Sequence, residues 1–468
     1  MTTHNTEISH RRNMLARERV GPLLFRLSLP AIIGMMVHGL YNLVDTVFIG
    51  RFVGTLGIGG TAIAFPVQMI LMALGMTIGI GGASIISRRM GENDLDGASL
   101  TLGNMAMLSL ITGLFCLVFG LLTLRPILHI FGATEALLPY SQTYLQVILI
   151  GSPMLIFSMA IGSAARAEGN AQIAMTSMVI GAVLNIALDP IFIIFLGLGV
   201  QGAAIATVIS LTVSSLFLLR YFLKGSSDLS LRLRHVRPNR AIIKEIFAVG
   251  SSDFVRSASM SLTTGLFNNI LRGFGGEVPI AAFGLIFRII SFIFMPLIGI
   301  AQGAQPVIGF NYGAKKFDRV KKGLRLANLS ATAVSVAGFL VFMLFPRPIF
   351  QVFTSDPELT DAAASATRLL MLALPLVGYQ IIGSSLFQAL GKARPALFLS
   401  LMRQVLFLIP MVLILPRLLG LPGVWLAFPV ADVISFIVTL IMVTYIMRRL
   451  RPTEASPVFP LKASSIPE

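Results

Sequence analysis

Four carboxylates that lie in apolar stretches are the residues of this chain best suited to do chemistry. The chain has twenty acidic residues, and the four inside long apolar runs are Asp45, Asp189, Asp253 and Asp432. Burying a charged carboxylate in a bilayer costs at least about 2.5–3.5 kcal/mol, so each of them needs a functional or a structural reason. The structural reasons are an ion pair with a buried arginine or a position at a helix end.

Asp189 has the most informative neighbours. It lies in the run Asn185-Ile-Ala-Leu-Asp189-Pro190, and the spacing of four places Asn185 and Asp189 one turn apart on one helical face. Pro190 has no N–H to donate to the carbonyl of Ile186, so that oxygen becomes free. These hard oxygen ligands suit a proton, a hydronium ion or a sodium ion. The alternative is a proline kink beside a polar cluster, but such a cluster gains little from packing in a membrane, so we expect an ion site.

The other three acids have less specific surroundings. Asp253 lies near the start of its helix, with Arg256 three residues on, and we expect a structural ion pair there. Asp432 has no basic residue one turn away, and both readings stay open. Asp45 lies six residues before Arg51, which we expect to extend away from it toward the membrane surface.

Composition indicates a membrane protein. Hydrophobic residues make up 55% of the chain and charged residues 12%, with a mean hydropathy of +0.86; a soluble domain has about twice that charged fraction. The net charge of +16 would suit nucleic acid, but the basic residues lie in short loops between apolar runs, as in membrane proteins. The single cysteine excludes an internal disulfide and a cysteine-based metal cluster.

The chain repeats itself once. Arg125-Pro126 recurs as Arg347-Pro348, from residue 125 to residue 347, an offset of 222. The same offset relates Phe131 to Phe353, Pro153 to Pro375 and Gly169 to Gly391. Each half contains six apolar segments of about 20 residues or more, enough to span a bilayer. The sequence therefore predicts an all-α polytopic membrane protein with twelve transmembrane helices in two pseudo-symmetric six-helix lobes, and a substrate path between the lobes.

Loop charges predict the orientation and the boundaries. Basic residues cluster in the loops on one side and occur singly on the other, which places the clustered side and both termini in the cytoplasm. The predicted parts are a cytoplasmic tail (1–20), a first lobe (21–223), a cytoplasmic linker (224–241), a second lobe (242–447) and a cytoplasmic tail (448–468). We expect a multi-pass protein of a bacterial or archaeal cytoplasmic (inner) membrane that functions as a monomer.

Four glutamines in the second half are candidates for lining the substrate path. They are Gln302, Gln305, Gln380 and Gln388. An amide inside a helix bundle is rare without a partner, so each one contacts a substrate or a neighbouring helix, and both readings stay open. The 22 methionines and 33 phenylalanines suit bulky organic cations, although most of them must face lipid or pack helices.

A series of motifs between about residue 20 and residue 447 carries a family resemblance. The motifs are Leu29-Pro30, Tyr41-Asn-Leu-Val-Asp45-Thr-Val-Phe-Ile-Gly50-Arg51, Ser87-Arg-Arg-Met-Gly91, Arg166-Ala-Glu-Gly169-Asn170, Asn185-Ile-Ala-Leu-Asp189-Pro190, Gln305-Pro306-Val-Ile-Gly309-Phe-Asn311-Tyr-Gly313-Ala314 and Gln388-Ala-Leu-Gly391. With these motifs in this order, the chain resembles the multidrug and toxic compound extrusion (MATE) family of cation-coupled efflux transporters.

The resemblance implies two six-helix lobes around a central cavity, with the coupling ion bound by acids on helices 1 and 5. Those positions are Asp45 and Asp189 in this chain, and they would also be the metal ligands, with Asn185, if sodium is coupled. Asn185 and Thr207 fall where the same site has polar neighbours, and Tyr144 falls where a helix-4 tyrosine does.

The chain departs from the family pattern at two places. Gly162, followed by Ser163, stands where a polar residue of helix 4 is expected. Some relatives also have a sodium site in the second lobe, but here Ala258 and Ser259 stand near the helix-7 acid and Gln380 at the helix-10 acid. Coupling should therefore depend on the first lobe, which favours protons over sodium.

The predicted function is antiport, in which a proton or a sodium ion enters as a bulky organic cation is exported. This is multidrug efflux, a form of xenobiotic transport that confers antibiotic resistance. Asp45, Asp189 and the four glutamines would hold the substrate. The chain has neither a nucleophile paired with a base nor a metal cluster, so we expect no enzyme activity and no cofactor besides the ion. It has no phosphate-cradling glycine motif with lysine, so we expect no ATP drive.

An alternative function is a flippase for a lipid-linked oligosaccharide or a related anionic lipid. It would need cationic residues in the cavity to hold the pyrophosphate. Arg256, Arg288 and Arg403 lie in second-half apolar segments and are the candidates.

Overall fold

Long helices make up most of the structure, a computed structural model that describes residues 11–224, 227–275, 277–354 and 356–450. Twelve long helices follow one another: α1 (Val20–Phe52), α2 (Thr55–Gly91), α3 (Leu95–Leu122), α4 (Leu138–Ala167), α5 (Ala171–Phe195), α6 (Gly199–Leu223), α7 (Arg240–Gly275), α8 (Glu277–Gly313), α9 (Phe317–Leu344), α10 (Pro357–Leu370 with Leu374–Ala389), α11 (Ala393–Leu419) and α12 (Leu421–Arg449). Short helices at Leu124–Ile130, Leu233–Val236 and Pro346–Gln351 lie in the connections. The prediction of an all-α protein is confirmed.

Most of these helices have the length and apolarity needed to cross a membrane. Ten of them pass on length and hydropathy, and α10 becomes the eleventh if its two segments, bent by 58°, count as one span. Helix α7 is long enough, but it is less apolar because it carries Asp253 and Arg256 among several serines. Residues 1–10 and 451–468 of the predicted tails, and 225–226 of the predicted linker, lie outside the described residues. The boundaries drawn between tails, linker and lobes remain predictions.

Local sequence explains where several helices begin. The side chain of Asp94 accepts a hydrogen bond from the backbone N–H of Gly97 (2.8 Å), and that of Asn170 accepts one from Ile173 (3.3 Å). Such caps satisfy N–H groups that have no partner in the first turn of a helix. They fix the starts of α3 and α5, and thereby the register of the polar residues farther along α5.

The first lobe (α1–α6) and the second lobe (α7–α12) meet through helices that cross between them. Helix α1 packs against α8, and α2 packs against both α7 and α8. Helix α1 also packs against α5 within its own lobe. It therefore connects the interior of the first lobe with the surface of the second.

The two lobes are in direct contact at one end of the bundle, which we call the basic end because the clustered arginines and lysines lie in its loops. A Cβ atom added to Gly91 would lie 2.0 Å from the carbonyl oxygen of Phe310, and one added to Gly313 would lie 2.0 Å from that of Arg88. The same offset of 222 residues relates both glycines and both partners, so the two contacts are pseudo-symmetric.

Polar contacts reinforce the junction at the basic end. Arg88 Nη2 lies 2.6 Å from Glu245 Oε1 of the second lobe. The Ser84 hydroxyl donates a hydrogen bond to the backbone carbonyl of Gln388. Because backbones and side chains of both lobes touch here, the path between the lobes is closed at the basic end.

Candidate functional site

A buried polar group on α5 and α6 is centred on Asp189. The Asn185 amide nitrogen donates to Asp189 Oδ1 over 3.3 Å and to Thr207 Oγ1 over 3.4 Å. Asp189 is 0% exposed, Asn185 1% and Thr207 9%. The helical spacing that predicted the pairing of Asn185 with Asp189 is therefore present in the structure, and α6 adds the hydroxyl.

Two oxygens of this group have no hydrogen-bond partner. Asp189 Oδ2 and Asn185 Oδ1 are buried acceptors to which no described residue donates. Leaving a buried acceptor unsatisfied costs about 1–3 kcal/mol, and more if it is charged. A proton on Asp189, or a small cation between the two oxygens, would remove that cost. The group therefore has the chemistry of a site that binds and releases an ion.

The helix that carries Asp189 changes its winding directly after the carboxylate. It continues through Pro190 into a π-helix over Ile191–Phe195, where the N–H of Leu196 donates to the carbonyl of Ile191 (2.9 Å). Gly202 of α6 lets the backbones approach, because a Cβ there would lie 2.7 Å from the Phe192 carbonyl. Single π-turns within α-helices are frequent at functional sites. The proline predicted a disturbance here but not its form.

Asp45 brings α1 to the same region. Its side chain is half-buried, and its Oδ1 atom is buried without a hydrogen-bond partner. Asp45 lies close enough to Asp189 for their charges to repel, and Tyr41 and Tyr144 lie within electrostatic range of both carboxylates. Gln68 Nε2 donates to the Tyr144 hydroxyl over 3.2 Å. The structure thus groups all five ion-site residues of the sequence analysis in the first lobe.

Tyr41 and Gln68 are additions to the residues expected from the sequence. Tyr41 lies one turn before Asp45 on α1, so its helical spacing was a usable signal. Gln68 is an amide inside an apolar segment of the first half. The same criterion selected the four glutamines of the second half, but it was not applied to the first half. Its partner Tyr144 is 76 residues away, so the pairing itself had no local signal.

The four glutamines predicted to contact substrate lie on α8 and α10 of the second lobe. Three of them donate hydrogen bonds to other helices: Gln305 to the carbonyl of Ile80 (3.3 Å), Gln380 to the carbonyl of Asp432 (3.0 Å) and Gln388 to the hydroxyl of Ser252 (3.0 Å). Gln302 is half-buried on α8. Three of the four glutamines therefore contact a neighbouring helix, which is one of the two alternatives that the sequence left open.

The two second-lobe acids have arginine partners. Arg256 Nη2 lies 2.6 Å from Asp253 Oδ1, as the sequence analysis expected. Arg403 holds Asp432 with two contacts, Nε to Oδ1 at 2.5 Å and Nη2 to Oδ2 at 3.3 Å. This second pair decides the reading of Asp432 that was open, because the arginine neutralises the carboxylate. No group of three or more His, Cys, Asp or Glu side chains that could hold a metal occurs among the described residues.

The family model MatE matches residues 30–191 and 254–414, one segment in each lobe. The chain belongs to the MatE family. The resemblance seen in the motifs is thereby confirmed, together with the twelve-helix fold of two lobes. The two matched segments also agree with the internal repeat, since each lies within one half.

Curated and solved relatives extend over almost the whole of this MatE chain. The "Multidrug export protein MepA" of Staphylococcus haemolyticus is 29% identical over 433 residues, which are 92% of this chain and 95% of the relative. A solved structure described as that of "MATE multidrug transporter DinF-BH", in complex with a ligand, is 45% identical and has a TM-score of 0.86. The match covers 93% of this chain and 97% of that one.

A third relative bears on the arrangement of the lobes. It is described as the "Outward-facing conformation of a multidrug resistance MATE family transporter of the MOP superfamily", is 31% identical and has a TM-score of 0.90. The match covers 94% of this chain and 99% of that one. The arrangement of the helices in this MatE protein is therefore similar to that in this solved structure.

Proposed function

We propose that this chain is a cation-coupled antiporter that exports bulky organic cations, including drugs, with protons favoured as the coupling ion. The observation that carries the proposal is the buried first-lobe group, in which Asp189 and Asn185 each keep an acceptor oxygen without a partner. The MepA relative is a multidrug export protein, and DinF-BH is described as a multidrug transporter. These names support drug export as the activity that the ion site drives.

The exchange of a proton for a substrate follows from the charges of the site. Asp45 and Asp189 repel each other when both are charged, so the first proton to bind relieves both the repulsion and the unsatisfied Asp189 oxygen. Protonation also removes a negative charge that would hold an organic cation. Ion and substrate therefore weaken each other's binding reciprocally, as coupled transport requires.

Helix α1 is the element that would transmit this change to the rest of the molecule. It carries Asp45, packs against α5 beside the ion site, and packs against α8 of the second lobe. A shift of α1 on protonation would therefore act on the contact between the lobes. The substrate would then leave through the end opposite the basic end.

The loop charges support the direction and the setting of this transport. By the positive-inside rule the basic end would face the cytoplasm, with both termini inside. The Staphylococcus relative supports a bacterial or archaeal cytoplasmic (inner) membrane as the setting. Coupling to an ion gradient replaces ATP and any resident cofactor in this mechanism. One two-lobed chain encloses the whole path, so the proposed functional unit is a monomer.

Sodium would use the same first-lobe oxygens if it were the coupled ion. Asp189 Oδ2, Asn185 Oδ1 and Asp45 Oδ1 are hard acceptors without partners and fit such a cation chemically. The second lobe offers no comparable ligand among the described residues, because Asp253 and Asp432 are held by arginines. The lack of such a second-lobe site among the described residues is why protons are favoured.

The lipid flippase finds less support. Two of its three candidate arginines, Arg256 and Arg403, are paired with carboxylates, and the third, Arg288, is exposed. A pyrophosphate would have to compete with those carboxylates for the paired arginines. It would also be repelled by Asp45 and Asp189.

The test is transport of a fluorescent organic cation by the purified protein in vesicles, under an imposed pH gradient and, separately, a sodium gradient. Asp189→Asn should abolish gradient-driven transport, and Asp45→Asn should lower it at least about tenfold, because neither can exchange a proton. Asp253→Asn is the matched control, since it also removes a membrane carboxylate, and it should retain transport.

Two results would contradict the proposal. Wild-type rates in the Asp45→Asn/Asp189→Asn double variant would show that these carboxylates carry no coupling ion. Accumulation of a lipid intermediate in cells lacking the protein, with no change in drug tolerance, would favour the flippase. Transport under a sodium gradient alone would change the ion and leave the site assignment standing.

A further inference from the structure

A cleft of ≈ 510 Å³ lies at the basic end of the second lobe and has no part in the proposed transport cycle. Its walls come from the last turns of α8, α10 and α12 and from the first turn of α11. The lining residues include Tyr312, Phe387, Lys392, Met442, Tyr445 and Arg449. Cationic groups thus stand beside an apolar interior.

The two cations of the cleft lack an internal counter-charge. No ion pair joins Lys392 or Arg449 to a carboxylate in the described part of the chain. The Arg449 guanidinium lies over the Tyr445 ring, 4.4 Å from its centroid, and this contact orients it without neutralising it. A ligand for this cleft therefore needs an anionic group.

The cleft also borders the lipid-facing side of the protein. Along α12 the side chains of Val433, Ile437, Ile441 and Tyr445 are exposed, at intervals of four residues. Side chains so spaced lie on one helical face, and in a membrane protein an exposed apolar face contacts acyl chains. Tyr445 ends this face at the rim of the cleft, as an aromatic residue at a membrane surface. A lipid can therefore enter from the bilayer with its chain already beside the apolar wall.

The counterpart of this cleft in the first lobe is filled by the chain itself. At the offset of 222 residues, Asn170 corresponds to Lys392. Met14 and Leu15 pack there, with side-chain carbons 3.3 and 3.2 Å from the position of a Cβ on Gly169. Both side chains are buried, at 7% and 0% exposure. The described part of the second lobe has no equivalent segment to occupy its own cleft.

Charge is balanced internally in the first-lobe counterpart as well. Glu168 is fully buried there, accepts hydrogen bonds from the hydroxyls of Tyr221 and Ser227, and lies 3.6 Å from Arg11 Nη1. At the same offset the second lobe has Leu390, so no carboxylate stands at that position near Lys392 and Arg449. Among its described residues, the second lobe has no carboxylate in the position from which Glu168 supplies the anion of the first lobe.

From this contrast we infer that the cleft is a binding site for one anionic phospholipid. The phosphate lies between Lys392 and Arg449, and an acyl chain runs along Met442 and Phe387 toward the lipid-facing side of α12. Basic pockets between transmembrane helices at a membrane surface recognise anionic head groups in this way, and each cation contributes about a factor of five in affinity.

The experiment is native mass spectrometry of the full chain in detergent, titrated with phosphatidylglycerol, phosphatidylcholine of the same chains, or inorganic phosphate. We expect one phosphatidylglycerol to bind at least about tenfold more tightly than phosphatidylcholine. Excess inorganic phosphate should not displace it, because free phosphate gains nothing from the apolar wall. Lys392→Gln/Arg449→Gln should bind phosphatidylglycerol roughly 30-fold more weakly.

Two further variants separate this site from general surface charge. Arg448→Gln removes a neighbouring charge that does not line the cleft and should bind like wild type, while Met442→Trp fills the apolar wall, keeps both cations and should lose binding. Equal binding of phosphatidylcholine, displacement by inorganic phosphate, or equal losses in Arg448→Gln and in the double variant would overturn the inference. A complete absence of phosphatidylglycerol binding would also overturn the inference.

Discussion

The two lobes share one helical plan but differ in the partners of the carboxylates that lie within their long helices. In the first lobe, Asp45 and Asp189 keep oxygens that no described residue satisfies. In the second lobe, Asp253 and Asp432 are each bonded to an arginine. A duplicated architecture can thus hold a carboxylate in two ways, one with its partner in the protein and one with acceptor oxygens left for the proposed coupling ion.

We expect the ion-paired carboxylates of the second lobe to affect stability and the unpaired carboxylates of the first lobe to affect transport. A carboxylate bonded to arginine stabilises the folded chain only while both partners are present, because losing one leaves a buried charge without a partner. A buried carboxylate without a partner already lowers the stability of the folded chain. Replacing it with a neutral amide removes the free-energy cost of that buried charge. Substitutions in the two lobes should therefore fail in different assays.

The largest expected effect is on the Arg403–Asp432 pair. Arg403→Met should lower the free energy of unfolding by about 3 kcal/mol, because it leaves the buried Asp432 carboxylate without its partner. Thermal unfolding of the detergent-purified protein measures this. Asp189→Asn, by contrast, should leave the melting temperature unchanged or raise it while transport is lost.

The double variant Arg403→Met/Asp432→Leu is the control for this contrast. Removing both charges together should restore most of the stability, since neither is then left alone. A double variant as unstable as Arg403→Met would mean that packing of the arginine stem, and not its charge, stabilises the second lobe. The contrast between the lobes would then rest on packing.

A smaller effect is expected where the lobes are alike. An alanine at Gly91 or at Gly313 would place its Cβ 2.0 Å from a carbonyl oxygen of the other lobe, so it must push the basic ends apart. Overpacking of this kind costs about 1–3 kcal/mol, which shifts the population toward a state open at this end. A Ser84→Cys reporter in a Cys116→Ser background should then react faster with a membrane-impermeant maleimide added at the basic end.

Because the two glycine contacts are pseudo-symmetric, the two alanine variants should act with similar strength. Gly265→Ala is the matched control, since a Cβ on that residue of α7 meets nothing within 4 Å. Labelling that increases for one glycine alone would show that the repeat does not extend to the contact between the lobes.

The smallest effect concerns pH and the basic end of the first lobe. Burial raises the pKa of Glu168 from its ordinary 4.5 to about 7, although the hydrogen bonds from Ser227 and Tyr221 and the charge of Arg11 oppose the shift. The folded chain thus binds a proton that the unfolded chain has released, so stability should fall as pH rises from about 4.5 to about 7. Melting temperatures across this range measure the slope.

Glu168→Gln should remove that part of the pH dependence. Asp96→Asn, which changes an exposed carboxylate at the same end, should leave it in place. A slope as steep in Glu168→Gln as in the wild-type protein would assign the titration to another group.

Local features of the sequence were sufficient to predict the centre of the site. Asn185 and Asp189 are one turn apart on one helix, so their spacing alone determined that they would meet. The repeat likewise predicted two equivalent lobes, because an offset shared by proline and glycine positions reflects the chain path. Such signals work because they depend on neighbouring residues or on a whole-chain pattern.

What could not be predicted depends on contacts between distant helices. Arg403 reaches Asp432 across 29 residues and Gln68 reaches Tyr144 across 76, and nothing near either residue indicates its partner. The repeat aligned Gly91 with Gly313, but only the packed lobes show that each faces a carbonyl of the other. The π-helix after Pro190 likewise depends on the close approach of α6 at Gly202.

The mirrored glycine contacts at the basic end have a consequence for how the protein changes state. Gly91 of α2 packs against α8, and Gly313 of α8 packs against α2. A slight tilt of one helix therefore cannot break one of these contacts while the other stays in place. We therefore expect both glycine contacts to break together when the lobes separate at the basic end. Such a junction favours two discrete states over a graded widening, and a transporter that must never be open at both faces benefits from that abruptness.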